Sequence, residues 1–140
     1  MNDQGAMPTK PQILLVDDSA MNRAILAEIL GSDYRILEAQ DGKECMEKLQ
    51  AEAADIALVL LDIVMPVMDG FEVLEAMNAS RVIEDIPVIM ISSDESLASL
   101  RRSYDLGASD YVNRPFDAQI VRRRVTNTVK LYAKQRHLAQ

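Results

Sequence analysis

The chain has 140 residues, of which 49% are hydrophobic and 26% are charged, and it carries a net charge of −7 and one cysteine. This size and composition predict one globular domain with its own core, and the acidic charge argues against a direct nucleic-acid binder. No apolar run approaches the roughly 20 residues that cross a bilayer, no secretory signal begins the chain, and one cysteine suits a reducing compartment, so we expect a cytoplasmic protein outside the membrane.

Apolar runs and helical periodicities alternate along the chain and predict five strands and five helices after a disordered tail or cloning remnant at residues 1–10. In chain order, the predicted elements are strand Gln12–Val16, helix Ser19–Leu30, strand Tyr34–Ala39, helix Lys43–Ala53, strand Ile56–Leu61, helix Phe71–Ala79, strand Pro87–Ile91, helix Leu97–Leu106, strand Asp110–Val112 and a last helix from Asp117 toward Leu138. We expect Ser19 to cap the first helix, Gly31 to end it, and Asp41-Gly42 to form a turn.

Strands that alternate with helices over short connections predict a parallel sheet covered by helices on both faces. Because crossover connections are right-handed, few alternatives remain to a doubly wound, three-layer α/β sandwich. We assign residues 11–130 to this domain and residues 131–140 to an extension of the last helix. Leu131 and Leu138 begin a second apolar stripe on that helix, which favours a linker to an output domain or a contact with a second copy of the chain.

Five polar side chains stand at the ends of predicted strands: Asp17, Asp18, Asp62, Ser92 and Arg114. Taken singly, each also fits a helix cap, a turn or an exposed surface. Since the carboxyl ends of parallel strands share one edge, where ligand crevices form, we expect these side chains to meet there. Three neighbouring carboxylates repel unless a cation neutralises them, and Mg²⁺ prefers oxygen ligands. Phosphoryl transfer requires such neutralisation, so the sequence predicts a Mg²⁺-dependent phosphoryl site.

The segments LLVDDS, LLDIVMPVMDG, VIMISS and DYVNRPF carry a resemblance that spans roughly residues 11–130. Over this range the sequence resembles the receiver domain of bacterial two-component response regulators, a CheY-like superfamily with a flavodoxin-like fold. The resemblance implies that Asp62 accepts a phosphoryl group from a phosphohistidine on a partner kinase. It also implies that Mg²⁺ is held by Asp17, Asp18, Asp62 and the backbone carbonyl of Val64.

The same resemblance implies a conformational switch and reveals one departure. Ser92 takes the role of the hydroxyl that moves to bond the phosphoryl group, and Tyr111 matches the aromatic switch residue whose ring then turns inward. Receivers usually place a lysine directly before the proline, where this chain has Arg114. An arginine keeps the charge, but its planar fork either pairs with phosphoryl oxygens or sits too far out. Val64 and Asp94 should border the path of the hydrolytic water and influence the lifetime of the phosphoryl group.

We therefore predict a phosphorelay signalling receiver, not an enzyme beyond its own phosphotransfer and autodephosphorylation. The expected partner is a sensor histidine kinase or a phosphotransfer protein, with a homodimer and a C-terminal output domain as further candidates. One alternative, motivated by Arg114, is a receiver-like dimerisation module that works without phosphate. Another, a phosphatase of the haloacid-dehalogenase type, is disfavoured because that class places Asp-x-Asp after the first strand, whereas Asp17 and Asp18 are adjacent.

Overall fold

A computed structural model of the protein describes residues 10–93 and 96–139, so the predicted tail falls outside it except for Lys10. In the described part, the strands are β1 (Gln12–Val16), β2 (Arg35–Ala39), β3 (Ile56–Asp62), β4 (Val88–Ser92) and β5 (Asp110–Asn113). The helices are α1 (Ala20–Leu30), α2 (Gly42–Glu52), α3 (Gly70–Ala79), α4 (Leu97–Asp105) and α5 (Ala118–Ala139). Within these residues, no helix has the length and apolar character needed to span a membrane.

The strands form one parallel sheet in the order β2-β1-β3-β4-β5. This order confirms the predicted doubly wound, flavodoxin-like α/β sandwich. Its most important consequence concerns neighbouring strands: β3 lies between β1 and β4. The carboxyl ends of the strands that lead to Asp17, Asp62 and Ser92 are therefore adjacent, and β5 brings Arg114 to the same edge.

The core has two layers because successive strand residues point to opposite faces of the sheet. On one face, Val59 and Leu61 of β3 pack in a cluster with buried residues of α2 and α3. On the other face, Leu58 and Leu60 pack with residues of α1 and α5. All five residues of β1 are buried, and the last four are apolar, as expected of a strand covered on both sides.

Helix α4 is the most loosely packed helix of the described chain. Ser103 is its one buried residue, while Leu97 and Tyr104 are 65% and 45% exposed. By contrast, α3 buries Phe71 and Leu74 among others. Few buried apolar contacts mean a low local cost of rearrangement, so α4 is the helix most easily displaced.

The structure corrects two local expectations and confirms a third. Asp62 and Ser92 are the last residues of β3 and β4 rather than residues beyond them. Asp41 caps α2, with its side chain accepting from the Glu44 backbone N–H, instead of forming a turn with Gly42. Gly31 ends α1 as expected, with φ −66°. These differences are local, because an Asp or Gly before a helix suits a cap as well as a turn.

One side of the last helix faces the core. Val121, Val125 and Thr128 are buried, and Tyr132 is half-buried beside Ser109. Leu131, which begins the second stripe, is 54% exposed. The side chain of Leu138 lies outside the described residues, so the linker interpretation stays a prediction.

Candidate functional site

The three predicted acidic residues meet at the carboxyl edge of the sheet. Asp17 is fully buried, Asp62 is 2% exposed, and Asp18 is exposed at the mouth of the site. One carboxylate oxygen from each of the three lies within 4.8 Å of the others. The predicted grouping of these three carboxylates is therefore present in the structure. The adjacent strands β1 and β3 bring Asp17 and Asp62 together.

Arg114 joins the two buried carboxylates directly. Its Nη2 lies 2.6 Å from Asp17 Oδ2 and 3.0 Å from Asp62 Oδ2. Its backbone N–H donates to the carbonyl of Ser92 at 3.1 Å, which ties the end of β5 to the end of β4. The guanidinium thus reaches the centre of the acidic cluster instead of pointing away from it.

The remaining oxygens of both carboxylates accept backbone N–H groups. Asp17 Oδ1 accepts from Ser19 at 2.9 Å, and Asp62 Oδ1 accepts from Val64 at 3.4 Å. Together with Arg114, these donors give every oxygen of the two buried carboxylates a protein partner. Any cation that enters the site must therefore share or replace one of these contacts.

Burial raises the pKa of Asp62 from its ordinary 3.8 to about 6, with the charge of Asp17 as the second cause. The hydrogen bond and charge of Arg114 and the N–H of Val64 act in the opposite direction. The raised pKa shows that one guanidinium does not fully offset two buried carboxylates and their lost hydration. A further cation at this site is electrostatically favourable.

The donor set fits a hard divalent cation. Three carboxylates supply only oxygen ligands, which Mg²⁺ and Ca²⁺ prefer and which soft metals do not. The fourth predicted ligand, the carbonyl of Val64, belongs to the loop whose N–H already contacts Asp62. The Val64 side chain is 75% exposed, so it offers the site its backbone and an apolar rim.

Asp62 and Ser92 line a cleft of about 400 Å³. Its outer wall includes Phe71 of α3 and Arg102 of α4, whose guanidinium lies 4.2 Å from the centre of the Phe71 ring. Sequence reasoning missed Arg102, because a single charged residue on an exposed helix face carries no distinguishing signal. Asp94, predicted to border the same site, lies outside the described residues.

The loop after β3 folds back onto the candidate phosphoacceptor through Gly70. A Cβ atom at Gly70 would lie 2.5 Å from the carbonyl oxygen of Asp62 and 2.9 Å from Ile63 Cα. The Gly70 N–H also donates to the Ile63 carbonyl at 2.8 Å. The missing side chain of Gly70 is what lets α3 begin against Asp62.

Tyr111, the predicted switch residue, lies on β5 and is partly exposed. Its ring meets the ring of Tyr104 edge-on, with centroids 6.4 Å apart, and Arg124 lies 5.1 Å above its centre. Three residues further along the chain, Arg114 enters the acidic cluster. Tyr111 thus lies on the strand that leads into the site, and its ring contacts one residue of α4 and one of α5.

The doubly wound sheet and the acidic cluster at its carboxyl edge define a CheY-like α/β domain. The family model described as the response regulator receiver domain matches residues 13–126, and the chain belongs to this family. It is 33% identical over 107 residues to the two-component response regulator ORR3 of Oryza sativa subsp. indica, an alignment that covers 76% of this chain and 81% of the relative.

Two further comparisons agree with this assignment. The chain is 40% identical over 113 residues to a probable cyclic di-GMP phosphodiesterase of Vibrio cholerae, covering 81% of this chain and only 25% of that protein. The solved structure of the Vibrio cholerae chemotaxis protein CheY4 matches with a TM-score of 0.78 and 26% identity, covering 86% of this chain and 99% of that one. Because the relatives include plant and bacterial proteins, the likeness assigns the family and not the source.

Proposed function

We propose that this receiver domain accepts a phosphoryl group on Asp62 from the phosphohistidine of a histidine kinase or phosphotransfer protein. A carboxylate oxygen of Asp62 attacks phosphorus, the P–N bond breaks, and the imidazole nitrogen leaves with the electron pair. The observation that carries the proposal is the placement of Asp62, a buried carboxylate that opens with Ser92 onto a cleft and meets two acids and a guanidinium. With a cation bound beside Arg114, such surroundings fit a group that gains further negative charge.

Asp17, Asp18 and Asp62, with the Val64 carbonyl, would hold Mg²⁺. When bound, the ion supplies positive charge to the phosphoryl oxygens in the transition state. Asp17 is kept in place for this role by the N–H of Ser19 and by Arg23, which donates to the Asp17 carbonyl at 2.6 Å. The site is therefore held by its own loops before any ion enters.

Arg114 and Ser92 are proposed to receive the phosphoryl oxygens. Arg114 contacts Asp62 Oδ2 at 3.0 Å in the unphosphorylated protein. A small rotation of its side chain would therefore let the guanidinium reach a phosphoryl group attached to that carboxylate. Its planar fork can bind two oxygens at once. Ser92 lies at the end of β4, next to β5. Its proposed movement toward the phosphoryl group would couple phosphorylation to Tyr111 on β5, in line with the proposed switch role of both residues.

A phosphorylation-independent dimerisation module remains the second candidate, and one observation favours it. Arg114 already bridges Asp17 and Asp62 and offsets part of their charge, so the pocket is organised without metal or phosphate. Under this alternative the site has a structural role only, and the oligomeric state does not respond to phosphodonors.

Incubation with Mg²⁺ and acetyl phosphate, followed by intact-mass spectrometry, separates the two candidates. We expect a single phosphoryl adduct on the wild-type chain and none on Asp62→Asn. The matched control is Asp69→Asn, which lines the same cleft and keeps a good helix cap, so it should still be modified. An unmodified wild-type chain at saturating donor, or an equal adduct on Asp62→Asn, would contradict the proposal.

A further inference from the structure

The ring of Tyr111 is held on two sides by different helices. From α4, Tyr104 presents its ring at an interplanar angle of 80° with centroids 6.4 Å apart. From α5, the guanidinium of Arg124 lies over the ring face, 5.1 Å from its centroid. A cation over an aromatic face and an edge-to-face pair are both attractive, so the ring is stabilised where it stands.

Arg124 is fixed by contacts that do not depend on the ring. Its Nη1 donates to the backbone carbonyl of Tyr111, and its Nε lies 3.9 Å from Asp110 Oδ2. The carbonyl and Asp110 belong to β5, whose position is set by its pairing with β4. Arg124 would therefore keep its place if the Tyr111 ring turned away, and only the contact with the ring face would be lost.

We propose that Arg124 is a positioning residue that holds the Tyr111 ring in its partly exposed orientation between α4 and α5, and so biases the switch toward its resting state. The inference rests on the proposed function, in which this ring turns inward after phosphorylation. A contact made in only one of two conformations shifts their populations by its own free energy. For an exposed cation–π contact, this amounts to about a two- to fivefold change in the ratio of the two orientations.

Neighbouring arginines on α5 show that this role depends on position rather than on charge alone. Arg122 donates through Nε to the carbonyl of Ile29 at the end of α1. Arg123 is exposed beside a polar groove formed with Asp33 and Gln119. Arg123→Ala therefore removes the same charge from the same helix without touching Tyr111, which makes it a matched control.

The test follows Tyr111 directly by ¹⁹F NMR of the full chain labelled with 3-fluorotyrosine, with the Tyr111 signal assigned by its loss in Tyr111→Phe. The difference in its shift between H₂O and D₂O reports how exposed the ring is. In Arg124→Ala we expect a less exposed ring, because the inward orientation gains about two- to fivefold in population. Arg124→Lys, which keeps a cation over the ring, should resemble the wild type, as should Arg123→Ala.

The opposite results overturn the inference. A Tyr111 ring that becomes more exposed in Arg124→Ala would show that Arg124 merely covers the ring. An unchanged exposure would show that Arg124 does not hold the ring in place.

The proposed function is tested separately by the phosphoryl adduct. If the wild-type chain forms no adduct, the phosphorelay role fails while the NMR result still decides whether Arg124 orients Tyr111. If both hold, Arg124→Ala should also carry more adduct at limiting donor, because linkage raises its phosphorylation equilibrium constant by up to about two- to fivefold.

Discussion

The acidic pocket and the surface around Tyr111 are both organised by an arginine, but in opposite environments. In the pocket, Arg114 contacts two carboxylates whose side chains are at most 3% exposed. On the switch face, which we define as Tyr104, Tyr111 and Arg124, the guanidinium contacts a ring, a carbonyl and a carboxylate that is 31% exposed. The two guanidinium groups therefore contact partners that differ strongly in their exposure to solvent.

The difference fits the proposal that one region does chemistry while the other switches. Charges interact more strongly where water is excluded, so the pocket responds strongly to an added cation or phosphoryl group. On the switch face, solvent screens the charges and each contact is weak, so two arrangements can stay close in free energy. Three predictions test this contrast, from the largest expected effect to the smallest.

Arg114→Ala should produce the largest effect, because it leaves two buried carboxylates without their cation. We expect the free energy of unfolding, measured with urea in the absence of divalent cations, to fall by about 3 kcal/mol. Saturating Mg²⁺ should restore more stability to this variant than to the wild type, since Arg114 no longer competes for Asp17 and Asp62. Equal stabilisation of both proteins by Mg²⁺ would contradict this competition.

The loss of unfolding free energy in Arg114→Ala should also depend on pH. The control is Arg101→Ala, at an exposed position on α4. The pKa of Asp62 is raised to about 6 from 3.8, so the folded state binds the proton more tightly than the unfolded state. A group of this kind favours folding below its unfolded pKa, and that contribution is lost as the pH rises through 6. Arg114 lowers this pKa, so its removal should raise the pKa of Asp62 further. The penalty should therefore be smaller at low pH, where the carboxyl is protonated, than at neutral pH, and Arg101→Ala should show neither effect.

Gly70→Ala should have an intermediate effect that is steric rather than electrostatic. The new Cβ would lie 2.5 Å from the Asp62 carbonyl oxygen, so the backbone must move, at a cost of about 1–3 kcal/mol. Because the displaced atom belongs to the proposed phosphoacceptor, acetyl phosphate should also modify this variant more slowly. Glu75→Ala, an exposed site on the same helix, should change neither property; a normal adduct rate in Gly70→Ala would show that the pocket tolerates the shift.

Asp110→Asn should have the smallest effect, because it breaks an ion pair on the switch face. Arg124 and Asp110 are 3.9 Å apart, and their side chains are 33% and 31% exposed. Exposed pairs of this kind contribute about 0–1 kcal/mol, so urea unfolding should change by less than about 1 kcal/mol. A loss of unfolding free energy as large as that of Arg114→Ala would contradict the proposed difference between the two regions.

The fold was predictable because its signals are local and repeated. The apolar runs of β1 and β3 and the periodicity of the helices indicated each element within a few residues, and alternation with short connections left one topology class. Errors arose where one residue type suits two structures, as with Asp41, which caps a helix instead of forming a turn. The short 3-10 turns at Ala53–Asp55 and Val82–Glu84 went unpredicted, since three residues are too few to show a period.

The candidate site was predictable in its membership but not in its contacts. Asp17, Asp18 and Asp62 could be grouped from their positions at strand ends, because parallel strands end at one edge. No pattern could show that Arg114 bridges two of them, since that depends on where β5 ends relative to β4. The contacts of Arg102 with Phe71 and of Arg124 with Tyr111 are likewise between residues far apart in the chain or on different elements.

The sequence by itself determined the α/β class, the family resemblance and the set of acids, because these follow from residue order and local periodicity. Only the tertiary structure decided which charges meet. It placed Arg114 on both buried carboxylates and separated three consecutive arginines of α5 into different environments. The physical reason is that the effect of a charge depends on its burial and its partners, and both are set by packing between distant segments.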